Sequence, residues 1–365
     1  MNILMTADAV GGIWTYAIDL CRALQPYDVR VVLATMGPEP TDSQREAAAL
    51  LPNVQVVSAP WKLEWMEQPW DDVARAGEWL TAVADRENAD LVHLNGYSHA
   101  QLKWNRPVLV VAHSCVCSWW KAVHGTEAPM EWDRYRFNVA AGLAAADRVV
   151  APTHAFLRTL QSHYGALPRT TVIHNARSMT NDCCDQDRLP AIFACGRAWN
   201  AAKNLQLLDR AGRQLPWNIY VAGSATSPDG RTHRLAGVQP LGFLTQAQIE
   251  RWLNRAAIFA HPALYEPFGL AVLEAALHGC ALVLSDVPTL RELWDGAALF
   301  ASPHNASELR AQLWWLIENP KERASLGRAA RERAAEFQPA SMAAAYHSLY
   351  SDLIRTHRTK ELAVA

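Results

Sequence analysis

The sequence predicts an α/β protein built from two Rossmann-like, doubly wound parallel sheets. Three observations carry that expectation. Short β-branched runs alternate with stretches of helical period; the runs are continuously apolar, as strands covered by helices on both faces must be; and the scheme occurs twice along 365 residues. Dividing that length by about 150 residues per domain also suits two domains, or one large one.

In the first half, strands are expected at Asn2–Thr6, Val29–Ala34, Val54–Ser58, Leu91–Asn95, Val108–Ala112 and Val149–Ala151. Helices are expected near Trp14–Leu24, Asp72–Arg86, Arg134–Ala145 and Ala155–Tyr164. The domain boundary is expected between Gly165 and Arg188, where Gly165-Ala-Leu-Pro168 precedes a further strand and the polar segment Arg177–Arg188. Strands follow at Ala191–Cys195, Asn218–Ala222, Ile258–Ala260, Ala281–Ser285 and Ala298–Phe300. Helices are expected near Asn204–Gln214, Gln246–Asn254, Leu270–Leu277 and Ser307–Asn319. The end is helical, Pro320–Phe337 and then, after an interruption at Pro339, Met342–Arg355. Its apolar side carries Tyr346, Leu349, Tyr350, Leu353 and Ile354 and needs a partner to cover it.

Composition narrows the function classes. Lys and Arg number 34 against 36 Asp and Glu, a net charge of −2, so no overall field attracts nucleic acid or an anionic membrane, and any anion site is local. Seven cysteines, an odd and irregularly spaced set, suit reduced thiols and a cytoplasmic setting. The start lacks a basic leader and no segment reaches the roughly 18 apolar residues of a membrane-spanning helix, leaving weak peripheral contact as the only membrane role expected.

In an open parallel sheet ligands bind beyond the carboxyl ends of the strands. After the first strand, Asp8-Ala-Val-Gly-Gly-Ile-Trp-Thr-Tyr16 opens a helix with Gly11 and Gly12, which suits phosphate or a plain tight turn. After Val108–Ala112 stands His113, able to bond a substrate hydroxyl or to carry a proton. His113, Cys115, Cys117 and His124 also permit a metal reading, although the two cysteines lack the usual ligand spacing. After Ala191–Cys195, Arg197 and Lys203 share one loop and can converge on a diphosphate or remain solvated. The strongest signal is His261-Pro-Ala-Leu-Tyr-Glu266-Pro-Phe-Gly-Leu-Ala-Val-Leu-Glu274. Glu266 lies just before a helix start at Phe268, Gly269 and Leu270, and Glu274 lies in the helix's second turn. A glycosidase carboxylate pair is disfavoured there, because a helix start invites an anion.

Together these segments resemble the retaining glycosyltransferases of family 4, which have the GT-B fold. Seven residues separate Glu266 from Glu274, as in that family's paired-glutamate motif, and Val172-Ile-His-Asn-Ala176 and Ser285-Asp-Val-Pro…Glu292 are similar to further family segments. Ala263 departs from the Ser common among relatives. The resemblance implies two Rossmann-like domains facing each other across a cleft: 1–168 plus 341–365 on the acceptor side, the final helix returning to it, and 169–340 binding the nucleotide sugar. It implies transfer of a hexose, with retention and without a metal ion or other cofactor, from a UDP- or GDP-sugar to a hydroxyl of a carbohydrate, lipid-linked or small-molecule acceptor. In this scheme Arg197 and Lys203 bind the diphosphate, aided by amides at Gly11, Gly12, Phe268, Gly269 and Leu270. Glu274 binds ribose, Glu266 the sugar hydroxyls, and His113 the sugar near its reacting carbon.

The acceptor is the least defined partner. Fifteen tryptophans outnumber nine tyrosines and eight phenylalanines. Those of N-terminal loops, Trp61, Trp65, Trp70, Trp119 and Trp120, either pack against the fold or meet the acceptor, by stacking on a sugar ring or dipping into a lipid headgroup layer, and Trp14, Trp119 and Trp120 are the acceptor contacts expected. Trp79, Trp314 and Trp315, inside helices, are expected to pack in the core. The alternatives are a GT-B sugar-nucleotide epimerase or hydrolase, and a nucleotide-sugar-binding protein that has lost turnover.

Overall fold

The computed structural model describes residues 1–178, 188–227 and 230–364. Two compact units divide the chain: Met1–Trp120, Glu127–Ala176 and Pro339–Ala365 form one, and Lys121–Thr126 with Arg177–Gln338 the other.

The first unit runs β1 (Asn2–Asp8), α1 (Gly12–Ala23), β2 (Arg30–Met36), α2 (Asp42–Ala49), β3 (Val54–Ser58), α3 (Trp70–Arg86), β4 (Leu91–Leu94), β5 (Val108–Val111), α4 (Val116–His124), α5 (Asp133–Ala145), β6 (Arg148–Ala151), α6 (His154–Tyr164) and β7 (Thr170–Val172). Its seven strands pair in parallel in the order β3-β2-β1-β4-β5-β6-β7. The direction of winding reverses beside β1, so the turns after β1 and β4 open at the topological switch point where such sheets take ligands.

The second unit contains β8 (Leu189–Cys195), α7 (Leu205–Gly212), β9 (Asn218–Ala222), β10 (Gln239–Gly242), α8 (Gln246–Arg255), β11 (Ala256–His261), α9 (Leu270–Leu277), β12 (Ala281–Ser285), α10 (Pro288–Trp294), β13 (Leu299–Ala301), α11 (Ala306–Glu318) and α12 (Pro320–Ala334). Its sheet is ordered β10-β9-β8-β11-β12-β13, again all parallel, with the reversal at β8. The turns after β8 and β11 therefore flank its switch point. Cores lie on both faces of this sheet, Phe193, Phe259 and Trp294 in one and Ile192, Ile258 and Leu313 in the other.

The chain ends in α13 (Pro339–Val364), which belongs to the first unit. Met342, Ala343, Tyr346, Tyr350, Leu353 and Ile354 join Trp14, Tyr16 and Leu20 of α1 in one buried cluster, so the expected return of the last helix is what covers its apolar side.

Several details differ from the sequence reading. β7 hydrogen-bonds to β6, which carries the first unit to Ala176 rather than to residue 168. Pro339 starts α13 instead of merely interrupting a helix, since the first turn has no use for the missing N–H. Trp314 and Trp315 are 38% and 43% exposed rather than packed, because α11 turns Leu309, Leu313 and Leu316 to the sheet and the two neighbouring indoles fall off that face. Cys183 and Cys184 lie outside the described residues, and the five free cysteines described are Cys21, Cys115, Cys117, Cys195 and Cys280.

Candidate active site

In the second unit the polar groups gather where β8 and β11 end. Lys203 lies on a short turn, Ala201–Lys203, and Asn204 after it adopts a left-handed conformation. The Asn204 amide donates to the carbonyls of Pro262 (2.9 Å) and Pro303 (2.7 Å), tying the lysine's turn to the strand end at His261. The Lys203 ammonium thereby meets the Glu266 carboxylate at 2.6 Å, and His261 Nε2 lies 2.9 Å from the same oxygen. Burial pushes the Glu266 carboxyl up, but the Lys203 charge and the His261 hydrogen bond outweigh it and hold the group well below the usual carboxylate range. His261 is buried, which lowers its proton affinity against the pull of Glu266. Lys203 and Glu266, to which the sequence reading gave separate duties, thus form one preassembled pair.

Gly269 caps α9 with φ of +92°, a conformation that favours glycine, and no side chain bonds back to that helix start. A Cβ at Gly269 would lie 3.2 Å from Val272 and 3.3 Å from Glu266. A helix start without a side-chain cap is chemically suited to an anion. Phe268 beside it is 3% exposed and packs edge-on against Phe337, so its side chain belongs to the core. One turn on, Glu274 pairs with Arg177 at 2.6 Å. The Arg197 guanidinium lies over the Trp199 ring, 4.9 Å from its centroid, in the turn after β8.

In the first unit, Gly11 caps α1 with φ of +102°, again without a side-chain cap or an acid in the first turn, and a Cβ placed there would meet open space. His113 follows β5. Its Nε2 lies 2.8 Å from the Asn95 side-chain oxygen, and its ring packs edge-on against Tyr16 at 4.5 Å. Burial pushes its pKa down to about 3, so His113 stays neutral near pH 7, with one ring nitrogen able to donate and the other to accept a hydrogen bond.

The arrangement coincides with a known family. A model described as Glycosyltransferase Family 4 matches residues 10–178, and one described as Glycosyl transferases group 1 matches residues 202–333. The chain belongs to glycosyltransferase family 4. Among curated relatives, glycogen synthase of Mycobacterium tuberculosis is 31% identical over 141 residues, 36% of this chain and only 34% of that protein. D-inositol 3-phosphate glycosyltransferase of Streptomyces bingchenggensis is 26% identical over 400 residues, 97% of this chain and 87% of that protein. Sucrose-phosphate synthase of Thermosynechococcus elongatus superposes with a TM-score of 0.79 at 18% identity, over 98% of this chain and all of that one. The Anabaena protein HepE, solved with UDP-glucose, gives 0.74 at 18% identity, over 97% of this chain and all of that one. The fold is GT-B.

For this family member the tryptophans sort by exposure. Trp14 is 5% exposed inside the α1 core and is withdrawn as an acceptor contact: it sits on the side of α1 that packs on the sheet and α13. Trp119 and Trp120 on α4 are half-buried and pack edge-on at 6.1 Å, while Trp65 is 42% exposed. Cys115 Sγ sits 2.9 Å from the Tyr164 hydroxyl, and no group of three or more metal-ligating side chains is gathered among the described residues. No helix among them is long and apolar enough to cross a membrane. Reading the sequence missed Asn95, Arg177 and His261 as partners of the site. His261 was legible as the last residue of a strand, whereas Arg177 and Asn95 act through contacts that only the fold creates.

Proposed function

We propose that the chain transfers a hexose from a nucleoside-diphosphate sugar to a hydroxyl acceptor, with retention of the anomeric configuration and without a metal ion. The observation that carries this reading is the Lys203–Glu266–His261 cluster beside the uncapped start of α9. Lys203 and Arg197 bind the diphosphate, and with the α9 amides they stabilise the charge that develops as it departs, the service a divalent cation performs elsewhere. Glu266, held ionised, accepts from sugar hydroxyls and keeps Lys203 aimed. Glu274, held by Arg177, accepts from the ribose. His113, neutral, contacts the sugar near its reacting carbon, and the Gly11–Gly12 turn adds amides. The bond from the anomeric carbon to the diphosphate breaks as the acceptor oxygen bonds to that carbon from the same face, and the acceptor proton passes to the departing diphosphate. No enzymatic nucleophile is needed.

UDP-glucose, the ligand in the HepE structure, is the first donor to test. With EDTA present, a panel of UDP- and GDP-sugars and hydroxyl acceptors, read by NMR of the product's anomeric carbon, is expected to give an α-product from an α-donor. Epimerised or free sugar as the sole product would favour the epimerase or hydrolase reading, and activity abolished by EDTA and restored by a divalent cation would overturn metal independence.

A further inference from the structure

A chain of hydrogen bonds runs from the C-terminal helix to His113, and the direction of each can be deduced. The Asn95 side-chain nitrogen donates to the Thr6 carbonyl at 2.6 Å, which fixes the amide orientation, since the opposite one would set two oxygens against each other. The backbone N–H of Asn95 donates to the Thr6 hydroxyl at 2.9 Å. The Asn95 side-chain oxygen therefore accepts everything else that reaches it, namely Nε2 of His113 at 2.8 Å and Nε2 of His93 at 3.2 Å. His93, fully buried and pushed down to about 3, is neutral, so with its proton on Nε2 its Nδ1 accepts from the Tyr350 hydroxyl at 2.7 Å. The same logic puts the single proton of neutral His113 on Nε2. Its Nδ1 has no hydrogen-bond partner among the described residues. The groups that face the ring are Tyr16 of α1, itself kept un-ionised by burial, and His93 and Asn95 at the end of β4.

We propose that Asn95 is a positioning residue: by accepting the Nε2 proton of His113 it locks the imidazole in the tautomer whose Nδ1 lone pair accepts a hydrogen bond from a donor-sugar hydroxyl. The last clause rests on the donor contact assigned to His113 above; the tautomer does not. Thr6, His93 and Tyr350 hold Asn95 in place, which gives α13 a part in the site as well as in the core. An acceptor atom at this point selects for a sugar bearing a hydroxyl there and against one that carries an ether or a deoxy position.

The test is NMR of the full chain labelled with nitrogen-15 in histidine, the His113 signals being assigned by their loss in His113→Gln. In the wild-type protein His113 is expected as the Nε2-protonated neutral form from pH 8 to pH 5; the Nδ1-protonated form, or a ring that titrates in that range, overturns the proposal. In Asn95→Asp the carboxylate still accepts from Nε2 but stabilises the imidazolium, so His113 begins to titrate in that range. Nδ1 then becomes a donor, and the donor KM rises at least tenfold toward acid pH while the alkaline side is spared. An unchanged titration and an unchanged pH profile in Asn95→Asp also overturn it. If His113→Gln leaves both kcat and the donor KM unaltered while the tautomer is as expected, the donor-contact reading fails and the positioning by Asn95 stands.

Discussion

Lys203 and Glu266 meet at 2.6 Å although 63 positions separate them, and the two cannot be altered independently. Lys203→Ala removes a cation from the diphosphate site and leaves a buried carboxylate without its main counter-charge. Turnover is expected to fall by about 10²–10³, the usual loss when one electrostatic stabiliser of a departing group goes. Lys203→Met, which removes the charge but keeps most of the stem, should lose as much, and near-normal turnover in it would exclude the role. Glu274→Ala is expected to raise the donor KM more than it lowers kcat, since Glu274 sits one helical turn beyond the reacting end of the site; a fall in kcat alone would move it next to the reacting sugar.

At the scale of elements, each unit has one helix start that is capped by a glycine alone. Gly11 and Gly269 both have φ near +100° and cap helices that no side chain caps. Gly269→Ala places a methyl group 3.2–3.4 Å from Val272, Glu266 and Leu290 in a conformation costly to alanine, so a stability loss of about 1–3 kcal/mol and weaker donor binding are expected from denaturant titration and calorimetry. Gly11→Ala meets no neighbour, so only the backbone cost applies, about 1–3 kcal/mol for a φ of 102° with a ψ of −141°, a combination nearly confined to glycine. Much of this was legible beforehand: the strands are unbroken apolar runs, and the glycines and Glu266–Glu274 stand just beyond them. The elements that escaped notice have weak signals for physical reasons. α2 buries only Ala48, β10 (Gln239–Gly242) is a polar edge strand containing a proline, and α4 begins in Val-Cys-Ser-Trp-Trp, which has no clear helical period. Side-chain partnerships such as Arg177–Glu274 and Asn95–His113 were not legible, because they depend on which turns the strand order brings together.

For the whole molecule, buried histidines set the response to acid. His93 and His113 are pushed down to about 3 by burial, and burial also lowers His99, His261 and His278. In the unfolded chain a histidine titrates near about 6.5. Above that pH neither state binds the protons; below it the unfolded chain takes up protons that the folded one refuses, and stability is lost as pH falls, by up to about 1.4 kcal/mol per pH unit for each such histidine. The depressed Glu266 acts in the same direction at lower pH: its contribution is present above about 4.3 and is lost as pH falls from there. The urea midpoint is expected to drop steadily between pH 7.5 and pH 5, and a flat profile would mean that these imidazoles are hydrated in solution. Tyr346→Ala, which cuts a ring from the shared core of α1 and α13, should cost about 3–5 kcal/mol without altering how the second unit holds a nucleotide.

The central claim is that the second unit holds a nucleoside-diphosphate sugar through Lys203 at the end of β8 and the start of α9. Titration calorimetry of UDP- and GDP-sugars into the full chain, with EDTA present, measures this directly. The account predicts binding of at least one donor by the wild-type protein and at least tenfold weaker binding by Lys203→Ala, a difference of about 1.4 kcal/mol. Equal affinity in the two proteins, or no heat with any nucleotide sugar, would contradict it.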